Sequence, residues 1–212
     1  MAKIIKLTID GRETQAVEGT TILEAAAQLG IDIPTLCHEP GLRPAGVCRV
    51  CVVEVEGRSR LQPACVTPVA EGMDVKTESA AVIAARRAVL ALIMANHDME
   101  CLTCPKTRQC ALQTYFYRYG LAESNFAGER REYPVEILNP WLKIDRNKCI
   151  LCTRCVRQCE HQPAEDVLAV IGRGICAQIG VFEPEGAGLA CATCGECVRV
   201  CPTGALVKLP SS

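Results

Sequence analysis

"CILCTRCVRQC" (residues 149–159) and "CATCGECVRVCP" (residues 191–202) are two copies of one pattern, C-x2-C-x2-C-x3-C, near the end of a 212-residue chain. The triplet at the head of each copy places three thiols on one turn of chain, close enough to cap three irons of a cube. The fourth cysteine of each copy stands further along. Two copies facing each other would build a pseudo-symmetric module, so this repeat decides how the last third of the chain folds.

The bacterial iron–sulfur run is C-x2-C-x2-C-x3-C-P, and its fourth cysteine serves the other cluster of the pair. Cys191, Cys194, Cys197, Cys201 and Pro202 match it in full, whereas the earlier copy has Glu160 in the proline position. Crossing the fourth ligands assigns one [4Fe–4S] cluster to Cys149, Cys152, Cys155 and Cys201. A second then falls to Cys191, Cys194, Cys197 and Cys159. Two zinc sites on the same eight cysteines are the competing reading, and the full run with its proline disfavours it.

Working outward, the whole chain carries 16 cysteines. A disulfide scaffold would need a secretory route, but "MAKIIKLTIDG" (1–11) has no apolar core of a signal peptide and runs straight into strand-like alternation. Most cysteines also fall in C-x-x-C pairs, which favour metal over disulfide. The longest apolar stretch, "AAVIAARRAVLALIMA" (80–95), is broken by Arg86 and Arg87 and is too short to span a bilayer. A formal net charge of −1 gives no basic footprint for nucleic acid. The expectation is a soluble, reduced, cytoplasmic protein.

At the N-terminus, "KIIKLTIDGRETQAVEG" (3–19) alternates around Asp10-Gly11, a strong hairpin signal. "TTILEAAAQLGIDIP" (20–34) reads as a short helix with Thr20 or Thr21 as cap, Glu24 in its first turn and Gly30 closing it. With "RVCVVEVEG" (49–57) as a further strand, the layout suggests a β-grasp domain over 1–78. Its cysteines, Cys37, Cys48, Cys51 and Cys65, share the order of the plant-type two-iron pattern but have a longer first gap. A [2Fe–2S] cluster is the preferred occupant, and spacing alone leaves zinc open.

Between these ends, a helix over about 79–95 leads to "HDMECLTCPKTRQC" (97–110), followed by a second helix at 110–120. Cys101, Cys104 and Cys110 form a metal-type triplet with one ligand wanting. His97 and Cys176 are the candidates. The crossed repeat has no vacancy for Cys176, which reads better as a small buried hydrophobe. His38 and His161 read as structural. Residues 121–140, with Pro134 and Asn139-Pro140, are expected to be a linker. Arg49, Lys106, Arg108, Arg154, Arg157 and Arg199 lie in or beside ligand loops, where they either tune potentials or are solvated surface.

No catalytic constellation emerges. "GRGICA" (172–177) fits a nucleotide fingerprint formally but opens no βαβ unit. Tyr115, Phe116, Tyr117 and Tyr119 cluster in the second helix, a pattern expected of packing beneath the clusters.

"PTLCHEPGLRPAGVCRVCVVEVEG", "HDMECLTCPKTRQCALQ" and "NPWLKIDRNKCILCTRCVRQC…CATCGECVRVCPTGAL" resemble, along nearly the whole chain, the N-terminal iron–sulfur portion of [FeFe] hydrogenases. They are similar also to the large iron–sulfur subunit of complex I, to NAD-linked formate dehydrogenases and to the short iron–sulfur subunit of NAD-linked [NiFe] hydrogenases. The resemblance implies an α+β chain of three parts: a β-grasp [2Fe–2S] domain (1–78), a helical His/Cys3 domain (79–120) and, past the 121–140 linker, a two-[4Fe–4S] ferredoxin domain (141–212). It implies His97 as the fourth ligand beside Cys101, Cys104 and Cys110, hence one [2Fe–2S] and three [4Fe–4S] clusters.

The departures are the end at "ALVKLPSS" and the unusual "CEHQPAEDVLAVIG". With no catalytic domain to follow, the expectation is an electron-transfer subunit without a catalytic site of its own. It would link a flavin/NAD(P)-binding diaphorase-type subunit to the catalytic subunit of a multisubunit hydrogenase, bifurcating or simple, with ferredoxin a further candidate partner. The same wire in an NAD(P)-linked formate dehydrogenase or related oxidoreductase is the alternative, and a zinc-stapled structural adaptor is the alternative of another class.

Overall fold

Ile5, Leu7 and Ile9 point one way from the first strand while Ile4 is half-exposed, and this period of two sets the first sheet. The computed structural model describes residues 3–122, 126, 128, 130–160, 167–181 and 194–209. These group into two units: residues up to 38, 44–91 and 115–122 in the first, the remainder in the second.

In the first unit, β1 (Ile4–Ile9) and β2 (Arg12–Val17) pair antiparallel from Ile4↔Val17 to Ile9↔Arg12. Their two-residue turn, Asp10-Gly11, has φ of 50° and 75°, the left-handed pair that suits the twist of a hairpin. Asp10 also accepts hydrogen bonds from the Thr77 amide and hydroxyl, at 2.7 and 2.6 Å. β3 (Val52–Val55), β4 (Gln62–Pro63) and β5 (Met73–Lys76) complete a sheet of order β2-β1-β5-β3-β4, with β5 parallel to β1.

Helix α1 (Ile22–Gln28) starts at a full capping box. The Glu24 amide donates to Thr21 Oγ1 at 3.3 Å, and Glu24 Oε2 accepts from the Thr21 amide at 2.7 Å. Ile22, Ala25 and Ala26 join Leu7, Ile9, Val53, Val55 and Val75 in one core, together with Cys51 and Cys65. Each fully buried aliphatic side chain there contributes about 1.5–3 kcal/mol relative to exposure.

Helix α2 (Ala80–Ala95) buries Val82, Arg86, Leu90 and Met94, an i, i+4 stripe that differs from a purely apolar face. Arg86 is 0% exposed; its two Nη atoms make three hydrogen bonds, while its Nε has no partner among the described residues. Its guanidinium donates to Glu78 Oε1 (2.8 Å), Tyr119 Oη (2.8 Å) and the Val52 carbonyl (2.9 Å). Helix α3 (Ala111–Arg118) carries Phe116 inward and Tyr117 outward, while Tyr119 lies one residue past its end.

The second unit is built on β6 (Glu136–Asn139), β7 (Leu142–Ile144) and β10 (Leu206–Lys208), in the order β10-β7-β6. Part of the segment expected to be linker is therefore strand: Asn139 ends β6 and Pro140 begins the turn of the β6–β7 hairpin, with no break between modules at this point. β8 (Leu168–Ile171) and β9 (Gln178–Val181) form a separate hairpin. Helices α4 (Arg154–Cys159) and α5 (Glu196–Arg199) show the internal repeat in backbone form. Each begins from a left-handed residue inside its cysteine triplet, Thr153 (φ 58°, ψ 13°) and Gly195 (φ 69°, ψ 3°). Leu142, Ile144, Leu168, Ile179 and Leu206 form the core, and Cys155 and Cys201 are buried in it.

Candidate metal centres

The first set lies beside the sheet of the first unit. Cys37 and Cys48 come from loops, Cys51 stands just before β3 and Cys65 follows β4. Arg49 takes a left-handed φ of 58° between Cys48 and Cys51. The Cys51 and Cys65 sulfurs are 3.4 Å apart, and the Cys37 sulfur bonds those of Cys48 and Cys65.

Hydrogen bonds from Cys48 and Cys65 pull the Cys37 thiol far below its ordinary range, and the same sharing pushes Cys48 and Cys65 up. The bond from Cys65 brings Cys51 down to about 7. Four crowded sulfurs competing for protons are the donor chemistry that cationic iron or zinc satisfies by replacing those protons. The residues present fit a thiolate-bound centre.

The second set follows α2. His97 is 7% exposed, and its Nδ1 is buried with no hydrogen-bond partner among the described residues. Burial drives the imidazole down to about 4, so it is neutral with a lone pair available. An orphaned, buried imidazole nitrogen costs free energy unless something accepts it, and a metal does so.

Backbone bonds hold this loop at both ends: the Asp98 amide donates to the Asn147 carbonyl at 2.9 Å, and the Ala111 amide to the Pro202 carbonyl at 3.2 Å. Burial raises the Cys110 thiol, with the neighbouring charges of Cys104 and Cys101 adding to it. Cys101 and Cys104 thus both lie within electrostatic reach of Cys110. Lys148 pairs with Asp145 at 2.6 Å and lies within electrostatic reach of Cys104.

The third set contains the crossed cysteine. Cys149, Cys152, Cys155 and Cys201 line one cavity with Ile144, Ile179 and Leu206. Burial pushes Cys149 up to about 11, Cys152 up to about 12 and Cys155 well above its usual value, and Cys201 adds to all three. Buried thiols with no cation among them resist ionisation, and a bound iron core would reverse this. Thr203 is buried beside Cys201: its hydroxyl donates to the Lys148 carbonyl at 2.7 Å and lies 3.7 Å from the Cys201 sulfur.

Of the other crossed set, Cys159 and Cys197 pack against the same core, and Cys197 is within electrostatic reach of Cys155. Cys194 is half-buried. Cys191 and His161 lie outside the described residues. Among the described residues, no three His, Cys, Asp or Glu side chains converge as the ligands of a single metal ion do.

Cys176 is corrected. It sits in a 3-10 turn, Gly174–Cys176, and is exposed rather than buried, because the β8–β9 hairpin carries it out into solvent. Sequence reasoning placed Arg154, Arg157 and Arg199 beside the ligand loops but missed their partners, Glu39 and Arg43. Glu39 pairs with Arg154 (2.9 Å) and Arg199 (3.7 Å), and Arg157 donates to the Arg43 and Cys152 carbonyls. The signal for them was the long Cys37-to-Cys48 gap, which carries Glu39 and Arg43 as added residues.

Known protein families match the chain in three successive stretches. Residues 2–80 match a 2Fe-2S iron–sulfur cluster binding domain, and residues 86–125 the NADH-ubiquinone oxidoreductase-G iron–sulfur binding region. Residues 139–207 match the ferredoxin-like domain of NADH-quinone oxidoreductase subunit 3. The chain is 46% identical over 212 residues to NADP-reducing hydrogenase subunit HndD of Solidesulfovibrio fructosivorans, covering 97% of this chain and 36% of that one. It is 40% identical to an NADH-quinone oxidoreductase-G chain of Rhizobium meliloti, covering 98% of this chain and 24% of that one. Against the NADPH-Fe(3+) oxidoreductase subunit alpha of Geobacter sulfurreducens the identity is 38%, with 98% and 24% covered. The chain therefore spans about a quarter to a third of the curated relatives it matches.

A crystal structure of NAD+-reducing [NiFe]-hydrogenase in the H2-reduced state contains a chain that superposes with a TM-score of 0.88 at 33% identity. The match covers 98% of this chain and 88% of that one. The second unit, with its ferredoxin-like domain, and the first, with its 2Fe-2S domain, account for nearly the whole length. No helix among the described residues is long and apolar enough to cross a membrane. The chain belongs to the family of iron–sulfur proteins shared by NAD(P)-linked hydrogenases and NADH-quinone oxidoreductases of the G type.

Proposed function

We propose that this chain is the electron wire of a multisubunit NAD(P)-linked hydrogenase. It carries one [2Fe–2S] cluster on Cys37, Cys48, Cys51 and Cys65, and three [4Fe–4S] clusters. These sit on His97, Cys101, Cys104 and Cys110; on Cys149, Cys152, Cys155 and Cys201; and on Cys191, Cys194, Cys197 and Cys159. The three modules are a β-grasp domain over 1–78, a helical domain over 79–120 and a two-cluster domain over 141–212. Electrons run between a flavin/NAD(P)-binding subunit and a catalytic subunit in the cytoplasm, and the chain itself holds no catalytic residue.

The observation that carries this reading is the return of Cys201 to the Cys149–Cys152–Cys155 triplet. Self-contained zinc knuckles would each keep their own fourth cysteine, whereas a ferredoxin pair exchanges them. Hydrogenase is preferred to formate dehydrogenase because the NADP-reducing hydrogenase subunit matches at 46% and the superposed chain comes from a [NiFe]-hydrogenase.

The test is purification of the tagged chain from its native cells without oxygen. A brown complex with acid-labile sulfide, at least about fourteen irons per copy of this chain beyond those of its partners, and a co-purifying flavin subunit and nickel- or iron-containing hydrogenase is expected. Molybdenum or tungsten in place of a hydrogenase centre would transfer the wire to a formate dehydrogenase. A colourless protein with stoichiometric zinc would overturn electron transfer altogether.

A further inference from the structure

Gly204 lies two residues past Pro202, and its backbone does not adopt the left-handed conformation that usually calls for glycine. Its reason is contact. A Cβ at this position would stand 2.5 Å from the Cys104 sulfur, far inside ordinary contact, and within 3.6 Å of Pro105 and Lys106 atoms. The main chain leading from Cys201 therefore runs directly against a sulfur of the His97 set.

Two further bonds fix the seam from opposite sides. The Ala111 amide, next to Cys110, donates to the Pro202 carbonyl at 3.2 Å, and the Thr203 hydroxyl donates to the Lys148 carbonyl, next to Cys149, at 2.7 Å. One tripeptide, Pro202 to Gly204, thus touches both sets of ligands.

We propose that Gly204 is the crossing point for electrons between the His97–Cys101–Cys104–Cys110 site and the Cys149–Cys152–Cys155–Cys201 site, its missing side chain allowing the Cys104 sulfur to rest on the chain that begins at Cys201. This rests on the proposed reading that both sites hold [4Fe–4S] clusters. One electron leaves the reduced cluster and arrives at the oxidised one; no bond is made or broken and no proton moves. Gly204 is a positioning residue. A Cys side chain bound to iron has no freedom to turn away, so any added carbon must push the Cys104 loop off the Cys201 chain.

The test uses the intact complex. With glycine deuterated at Cα, electron–nuclear double resonance on the reduced His97 site should show a strongly coupled deuteron. No glycine occurs between residues 97 and 110 to supply it from within the loop. In G204A that coupling should vanish, the magnetic interaction between the two reduced clusters should weaken, and electron passage between them should slow several-fold with iron content and the separate cluster signals retained. Unlabelled-like spectra from the deuterated wild-type complex would overturn the proposal even if G204A fails to assemble. So would a fully loaded G204A with native coupling and rate. Absence of iron from the wild-type complex would instead overturn the cluster reading beneath it.

Discussion

Arg86 Nη1 donates to Tyr119 Oη at 2.8 Å inside the first unit, and the same nitrogen is 2.8 Å from Glu78 Oε1. The guanidinium has no exposed surface, whereas the Glu78 side chain is 45% exposed. Burying a charge is tolerable only with a counter-charge and satisfied donors. Glu78→Gln keeps an acceptor oxygen but strands the charge, and should cost about 1–3 kcal/mol, below the range for a wholly buried pair because half of the carboxylate is solvated. Tyr119→Phe removes one acceptor of two at that nitrogen and should cost about 1 kcal/mol. Hydrogen exchange at the Val52–Val55 amides reads both, since Arg86 also holds the Val52 carbonyl. Equal effects would mean that the charge is compensated elsewhere.

The capping box of α1 gives a pH dependence of known sign. Glu24 is held below its usual carboxylate value of 4.5 by hydrogen bonds from the Thr21 backbone and hydroxyl. A carboxyl with a lowered folded pKa contributes stability that is complete above its unfolded value and is lost as pH falls through the folded one. Thr21→Ala should cost about 0.5–2 kcal/mol at pH 7. The difference between wild type and Glu24→Gln, measured by denaturation, should shrink as pH drops below about 4.5. A difference that grows on acidification would contradict the assigned bonds.

His97 makes a sharper test, because the role proposed for it is chemical rather than structural. Imidazole in place of thiolate would leave the ligands of a cluster there one negative charge poorer, and that substitution raises the potential of two-iron centres. His97→Cys should therefore retain the cluster at a lower reduction potential, and His97→Ala should lose that cluster while leaving the other sites filled. Redox titration followed by electron paramagnetic resonance separates the outcomes. Identical spectra and an unchanged potential in His97→Cys would remove His97 from the ligand set.

Those three tests also mark where sequence was legible. Local rules sufficed for the Asp10-Gly11 turn and the Thr21–Glu24 box, because each is decided within four residues. That Cys201 lines the cavity of Cys149, Cys152 and Cys155 was readable because spacing and a proline encode it over a short run. Arg86 was read as an interruption of an apolar stretch, since its partners Tyr119 and Val52 are more than thirty residues away on either side. β6 was hidden in polar sequence, being an edge strand with half-exposed and exposed positions. Cys176 looked like core by composition, and only the path of the β8–β9 hairpin sends it outward. Long-range pairing sets the burial of Arg86, whereas β6 and Cys176 belong to local hairpins whose strands do not alternate cleanly in sequence.

Glu39 joins two arginines of unequal burial, which ranks their worth in advance. Its carboxylate lies 2.9 Å from Arg154 and 3.7 Å from Arg199; side-chain exposures are 19% for Glu39, 11% for Arg154 and 59% for Arg199. The exposed partner is screened by water and salt, so Arg199→Ala should leave stability unchanged within error. Removing the shared acid is different. Glu39→Ala leaves the Arg154 charge mostly out of water beside Cys155, and should cost about 1–3 kcal/mol, short of the cost for a fully buried pair. Thermal unfolding of the loaded chain, followed by loss of cluster absorbance, measures both variants, and raising the salt should barely alter the Glu39→Ala deficit. If Arg199→Ala proves the more damaging change, the Arg199 contact rather than burial of Arg154 holds this loop to α4 and α5.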